Sequence, residues 1–372
     1  MDQRTKFQLP FSKPHLPALD GVRAVAVFLV IFYHFGIPHV PGGHGVMIFF
    51  VLSGFLITWL LIKENEKNGT ISLTGFYKRR TLRIFPAFYV YWFLLVGYFL
   101  LSHKPVLWPH AWSAFFYTSN YYNAIKGDPN TGFSHTWSLA IEEQFYLLWP
   151  LGFLLLRRNL ARASLYLVVL IAAVWVHRII LCFVFNVSEG YIYAAFDTRL
   201  DDLMMGCLVA VLIRNGSLSS FWHAATSHML LPLIPLALLI ASIFIGNAYV
   251  YRYRDVYGFA IEPLLIAVLL VQLIVLSQTP LWSWSEWRIL KFLGRISYSL
   301  YLYQQVTLPL TKRALSSYPV ILQLIAAVLT TITAATISYY FIERPFLKLK
   351  RRDRGSRQSS SPSGKGSVRG TT

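Results

Sequence analysis

Charge is scarce in this chain. Only 13% of its 372 residues are Asp, Glu, Lys or Arg, about half the share of a soluble domain. Acidic residues are the scarcest, 16 against 34 Lys and Arg. So few charges cannot solvate a globular surface of this size, which excludes a soluble enzyme. Cysteine is nearly absent. Cys182 and Cys207 both sit in apolar runs, which excludes a disulfide framework and a thiolate metal site. They read as small buried hydrophobes, and no metal is expected. No internal repeat is visible. The N-terminus lacks the marks of a secretory signal: Pro10, Pro14 and Pro17 interrupt it, and no small-residue cleavage site follows. The first apolar run is therefore read as a retained membrane helix.

What is abundant is apolar and aromatic. Hydrophobic residues make up 55%, aromatics 16%, and mean hydropathy is +0.50. The bilayer is the fitting solvent. Ten candidate spans follow, near 19–36, 44–62, 83–101, 137–156, 164–185, 200–213, 230–246, 257–277, 292–310 and 320–343. The fold class is all-α: a polytopic integral membrane protein of about ten helices. A full span needs about 20 residues. The first and sixth are short, which fits thinned membrane, a broken helix or a helix lining a water-filled cavity.

With the N-terminus inside, 24 Lys and Arg fall in inner segments and 8 in outer ones, Arg178 among the latter. Cytoplasmic loops collect such cations, so both termini are expected in the cytoplasm. Topology thus explains the net charge of +18 better than nucleic acid does, and the basic tail has no aromatics for base stacking. The chain divides into a cytoplasmic segment 1–18, a membrane domain 19–345 and a basic, Ser/Gly-rich tail 346–372 that is expected to be disordered. The long outer segment, about 102–136, carries Trp108, Trp112, Tyr117, Tyr121 and Tyr122 and is expected to lie along the interface as an aromatic belt.

Ionisable residues inside membrane spans are costly and mark functional sites. Four clusters qualify. In the first, Asp20, Arg23 and His34 share one span. Arg23 and His34 are eleven residues apart, so they point to one face and lie roughly 16 Å apart along the helix. A neutral imidazole in the outer half suits proton removal from a hydroxyl. The alternative is an Arg23 that snorkels and a His34 that caps a helix end. In the second, Lys78, Arg79, Arg80 and Arg83 crowd the cytoplasmic mouth of the third span. Arg80 and Arg83 share a face, and paired guanidinium groups suit phosphates. The topological bias of any cytoplasmic flank explains the cluster equally well.

The third cluster is Glu142-Glu143. Adjacent residues point some 100° apart, so one carboxylate can face a cavity while the other pairs elsewhere. It is expected at the depth of His34; a structural ion pair is the alternative. The fourth is Asp197, Arg199, Asp201 and Asp202. Arg199 and Asp202 are spaced to pair on one helix face, and a structural role is favoured. Gly42-Gly43-His44-Gly45 reads as a turn between the first two spans. Ser53-Gly54 reads as close helix packing rather than a nucleophile. Asn68-Gly69-Thr70 and Asn186-Val187-Ser188 match the glycosylation pattern by chance.

Taken together, these segments resemble the membrane acyltransferase-3 family, O-acyltransferases that modify cell-surface sugars and some antibiotics. The matching stretches are LDGVRAVAVFLVIFYH (19–34), GVMIFFVLSGFLIT (45–58), FYKRRTLRIFPAF (76–88), TWSLAIEEQFYLLWP (136–150), TRLDDLMMG (198–206), LGRISYSLYLYQQ (293–305) and FIERPFLKLKRR (341–352). They occur in family order over nearly the whole chain. The resemblance implies a ten-helix enzyme of the bacterial inner (plasma) membrane. It would move an acyl group, acetyl above all, from cytoplasmic acyl-CoA to a hydroxyl of a glycan or glycoside, with no permanently bound cofactor.

By the same resemblance, His34 matches the family's essential histidine and Arg23 its companion. Arg80 and Arg83, with Lys78 beside them, match the motif that serves the acyl donor. Glu142 and Glu143 match the Glu-Glu-Gln-Phe-Tyr signature and would orient or charge His34. Many relatives have His after an aromatic in the ninth span, where this chain has Gln304 after Tyr303. Some relatives carry a C-terminal esterase-like domain; this chain ends about 30 residues after its last span, so it is expected to act alone or with a partner. The rival reading is a proton-coupled transporter with an Arg/His/Glu relay. It lacks the inverted repeat and paired broken helices of that class.

Overall fold

The computed structural model describes residues 10–13, 15–249 and 252–349. Of the tail 346–372 that is expected to be disordered, residues 346–349 continue the last helix; the rest of it and most of the segment 1–18 lie outside the described residues. Within them the chain is helical, with no strand among the described residues. Helices α1 (Pro17–Phe35), α2 (Gly42–Asn68) and α3 (Leu73–Leu101) come first. Two short helices, α4 (Trp108–Phe115) and α5 (Ser119–Lys126), lead to α6 (Thr136–Leu156) and α7 (Leu160–Phe183). Then follow α8 (Glu189–Ala194), α9 (Phe196–Asn215), α10 (Ser219–Ala225) and α11 (Leu233–Tyr249). The last are α12 (Phe259–Leu276), α13 (Arg288–Arg295), α14 (Ser297–Ala314) and α15 (Val320–Ser338).

Seven helices among the described residues are long and apolar enough to cross a membrane, or eight if the bent pair Glu189–Asn215 and Ser219–Ala225 is one span. This is a multi-pass membrane protein. The remaining expected spans are helical but irregular. The seventh is a shorter apolar helix, Leu233–Gly246. The ninth breaks at Ile296 between α13 and α14. The short sixth span is continued by α8 across an extended residue, Ala195.

Local chemistry sets the ends that matter. Proline occupies the first turn of α1, where its missing N–H costs nothing. Gly36 closes α1 in the left-handed region (φ 94°), donating to the carbonyls of Phe32 and Tyr33. The chain then reverses within a few residues. The Gly42–Gly45 run is not a turn, as expected from its composition, but the first turn of α2. Ser72 caps α3, its hydroxyl accepting from the Gly75 N–H at 3.1 Å. Because α2 runs to Asn68 and α3 starts at Leu73, the basic stretch from Lys78 to Arg83 is helical rather than a loop.

The centre of the bundle is the crossing of α2 and α9. A Cβ on Gly54 would collide with the Leu203 carbonyl, and one on Gly206 with the Val51 carbonyl. Two glycines thus let two backbones meet directly. Both cysteines are buried. Arg178, an outer-loop cation by the charge count, lies inside the bundle. It is fully buried, pairs with Asp201 at 2.6 Å, and donates to the carbonyls of Thr198 and Phe259. Arg199 pairs with Asp202 at 2.8 Å, as its spacing predicts. Asp197 accepts from the Tyr121 hydroxyl at 3.0 Å and faces His177. The outer aromatic segment is divided. Trp108 and Trp112 are exposed, whereas Tyr117 is buried and stacked on Phe85 and Phe88.

Candidate active site

A cavity of about 340 Å³ opens between α1, α2, α3, α6 and α14. Arg23, Arg80, Arg83, Glu142 and Glu143, all expected from the sequence, line it. They come from three helices that are far apart in sequence. Arg80 and Arg83 are one helical turn apart on α3, so both reach one side. Glu142 and Glu143 sit in the second turn of α6. Arg23 donates from Nε to the Ser297 hydroxyl at 3.3 Å, which anchors it to the start of α14.

Two contacts arrange the middle of the cavity. The Ser53 hydroxyl donates to Glu142 Oε1 at 2.6 Å. The Arg80 guanidinium lies over the Tyr146 ring, 3.6 Å from its centroid, a cation–π arrangement. Arg80 Nε and Glu143 Oε1 are buried without a hydrogen-bond partner among the described residues. Buried polar atoms of that kind ordinarily have partners, so these are free to meet a ligand. Glu343, from the turn that continues α15, is buried at the same wall. It accepts from the Ser299 hydroxyl at 2.6 Å and lies in electrostatic range of Arg23 and Arg83. Asp20 and His15 pair at 3.2 Å at one edge.

The cavity therefore sets Arg23, Arg80 and Arg83 against Asp20, Glu142, Glu143 and Glu343. Such a mixture suits a charged donor held by guanidinium groups and proton transfer by carboxylates. Sequence reasoning does not single out Ser53, Tyr146 and Glu343 as site residues. Their only signals are the FFVLSGFLIT, EEQFY and FIERP stretches that carry them.

Other expectations separate. His34 does not line the cavity. It sits one residue from the end of α1, eleven residues beyond Arg23, roughly 16 Å along the axis. Gly45 of α2 packs on Ala26 and Val30 of α1, so Ser53, eight residues further along α2, falls level with the start of α1. Glu142, bonded to Ser53, is therefore not at the depth of His34, as expected, but near that of Arg23. His34 Nδ1 bonds the Val30 carbonyl at 3.0 Å. A carbonyl only accepts, so Nδ1 carries a proton and in the neutral ring the lone pair is on Nε2. Lys78 lies outside the cavity on the exposed side of α3, and Arg79 turns away to pair with Glu64 at 2.7 Å. Gln304 is fully buried and does not line the cavity either. Among the described residues no group of three or more His, Cys, Asp or Glu side chains is gathered for a metal.

A family model described as an acyltransferase domain matches residues 16–340. The peptidoglycan O-acetyltransferase OatA of Listeria monocytogenes is 32% identical over 359 residues, covering 91% of this chain and 57% of that protein. The O-acetyltransferase OatA of Staphylococcus aureus is 33% identical over 359 residues, covering 91% and 58%. This chain thus spans little more than half the length of these relatives. No solved structure matches it.

Proposed function

This chain belongs to the acyltransferase-3 family, and from that premise we propose that it is an integral membrane O-acyltransferase. It moves an acetyl group from acyl-CoA to a hydroxyl of a cell-envelope glycan, peptidoglycan being the acceptor that the Listeria relative's name gives. The observation that carries this reading is the meeting of Arg23, Arg80 and Arg83 with Glu142 and Glu143 in one cavity. Charges inside membrane spans are costly to bury, and these line a cavity instead of closing on one another as the buried pairs Arg178–Asp201 and Arg199–Asp202 do.

Arg80 and Arg83 hold the donor's phosphates, and Lys78, exposed on α3 outside the cavity, adds to the positive field at the surface. The donor's thioester reaches past Arg23 to the carboxylates. Glu142 does the acid–base work there, with Glu143 set against Arg80 on the donor side. His34, outside the cavity at the opposite end of α1, takes a hydrogen bond from a second hydroxyl of the acceptor, away from the one that reacts. Both termini lie on the cytoplasmic side, so that the arginine end faces the cytoplasmic pool of donor.

Thiol release from acetyl-CoA by the purified chain, dependent on an added glycan, tests the reading. Acceptor-dependent thiol release with acetylated glycan as product is expected. A transporter would release no thiol, and that result would remove the proposal.

A further inference from the structure

The cavity is small for the task. At about 340 Å³ it stands near the lower end of the range for sites that hold a single small ligand. If donor and acceptor take turns, the acyl group must wait on the protein between them. A waiting place requires a nucleophilic side chain in the cavity with a base in contact.

Among the described cavity-lining hydroxyls, Ser53 is the one bonded to a carboxylate, donating to Glu142 Oε1 at 2.6 Å. The Tyr146 hydroxyl has no carboxylate bonded to it, and three others are committed differently. Ser138 is bonded to Tyr301 at 2.6 Å. Tyr298 donates to the Ile84 carbonyl. Ser297 accepts from Arg23. Ser53 also has a rigid mount. Its neighbour Gly54 is locked against the Leu203 backbone, and adjacent helical residues point about 100° apart. Packing of Gly54 into α9 thereby turns Ser53 toward the cavity. The Ser-Gly pair divides its work: the glycine packs and the serine faces the site.

We propose that Ser53 is the nucleophile that carries the acyl group between donor and acceptor, with Glu142 as its base. This rests on the acyltransferase reading and deepens it. In the first half, Ser53 Oγ attacks the thioester carbonyl and a C–O bond forms. Glu142 takes the hydroxyl proton, the C–S bond breaks, and the proton passes from Glu142 to the leaving thiolate. The free thiol departs and the acceptor enters. In the second half, Glu142 takes the proton of the acceptor hydroxyl, whose oxygen attacks the acyl-serine. The bond between Ser53 Oγ and the acyl carbon breaks, and the proton returns from Glu142 to Ser53 Oγ. No redox partner is needed and the enzyme ends as it began.

The test is to incubate the purified full chain with radiolabelled acetyl-CoA without acceptor, quench in acid, and map the label by peptide mass spectrometry. Wild type should acquire acetyl on the Ser53 peptide, and added glycan should chase it. Ser53→Ala should acquire none. Ser53→Cys should acquire a label that neutral hydroxylamine removes, because a thioester is more labile than an ester; this variant keeps the test intact if alanine disturbs folding. Glu142→Gln should slow both labelling and chase by about 10²–10⁴-fold. Wild type that acetylates glycan without any trapped label, together with an active Ser53→Ala, would overturn the acyl-serine and leave the acyltransferase reading standing. Wild type that releases no thiol and acetylates no glycan would overturn both.

Discussion

The guanidinium of Arg80 sits over the ring of Tyr146, 3.6 Å from its centroid, on two helices that adjoin only in the fold. The ring restrains the guanidinium where it lines the cavity, so that it is not left to swing. A lysine at this position would keep the charge and lose the plane.

Arg80→Lys is therefore expected to weaken donor use without abolishing it. Losing the stacked contact costs about 0.5–2 kcal/mol, roughly 2- to 30-fold in donor KM. Arg80→Ala also loses a charge-assisted hydrogen bond, about 1.5–3 kcal/mol or roughly 10- to 150-fold. Thiol release against acetyl-CoA concentration measures both. An unchanged KM in a well-folded Arg80→Ala protein would place the donor elsewhere.

Glu143 has a different expected phenotype from Glu142. It has no hydroxyl partner among the described residues and faces Arg80 electrostatically. Glu143→Gln should raise donor KM several-fold and change kcat little. Glu142→Gln should reduce kcat. If the two variants behave alike, the division of labour between them is wrong.

His34→Ala should impair acceptor use while the donor half proceeds. Acetyl-CoA should still acylate or hydrolyse at near the wild-type rate, and transfer to glycan should fall with a raised acceptor KM. A loss of donor-side turnover of about 10²-fold or more, the usual cost of removing a general base, would instead place His34 at the reacting atoms.

Gly54→Val should lower the melting temperature and the yield of folded protein. Its Cβ has no room against the Leu203 carbonyl, and overpacking costs about 1–3 kcal/mol or more. Gly206→Val should do the same from the other helix. A normal melting temperature for either would show that α2 and α9 are free to move apart.

Asp201→Asn should destabilise the bundle without touching the cavity lining, to which neither Asp201 nor Arg178 belongs. It leaves Arg178 fully buried and without the carboxylate charge that faces it at 2.6 Å. Breaking a buried ion pair costs about 3–5 kcal/mol. The expected outcome is poor yield in mild detergent with normal specific activity in what survives. Normal yield would mean that the carbonyls of Thr198 and Phe259 suffice for Arg178.

Much of this fold is legible in the residues alone. Scarce charge and long apolar runs dictate membrane helices, because only helices and closed barrels satisfy their own backbone in lipid. Helical spacing places Arg80 with Arg83, pairs Arg199 with Asp202, and sends Glu142 and Glu143 in different directions, since each depends only on 3.6 residues per turn. What spacing along one helix cannot state is the height at which two helices meet. That is decided by side-chain and backbone contacts between distant segments, here Gly45 on Ala26 and Gly54 on Leu203. Those contacts slide α2 so that Ser53 and Glu142 stand level with Arg23 and leave His34 roughly 16 Å along the helix. The fold also puts Arg178, which looks like a loop cation in sequence, against Asp201 in the interior. Composition and spacing decide that Arg23, Glu142 and Glu143 enter the membrane. Tertiary packing alone decides that they share a cavity with Ser53 and that His34 does not, because register between helices is a property of pairs of surfaces and not of either helix alone.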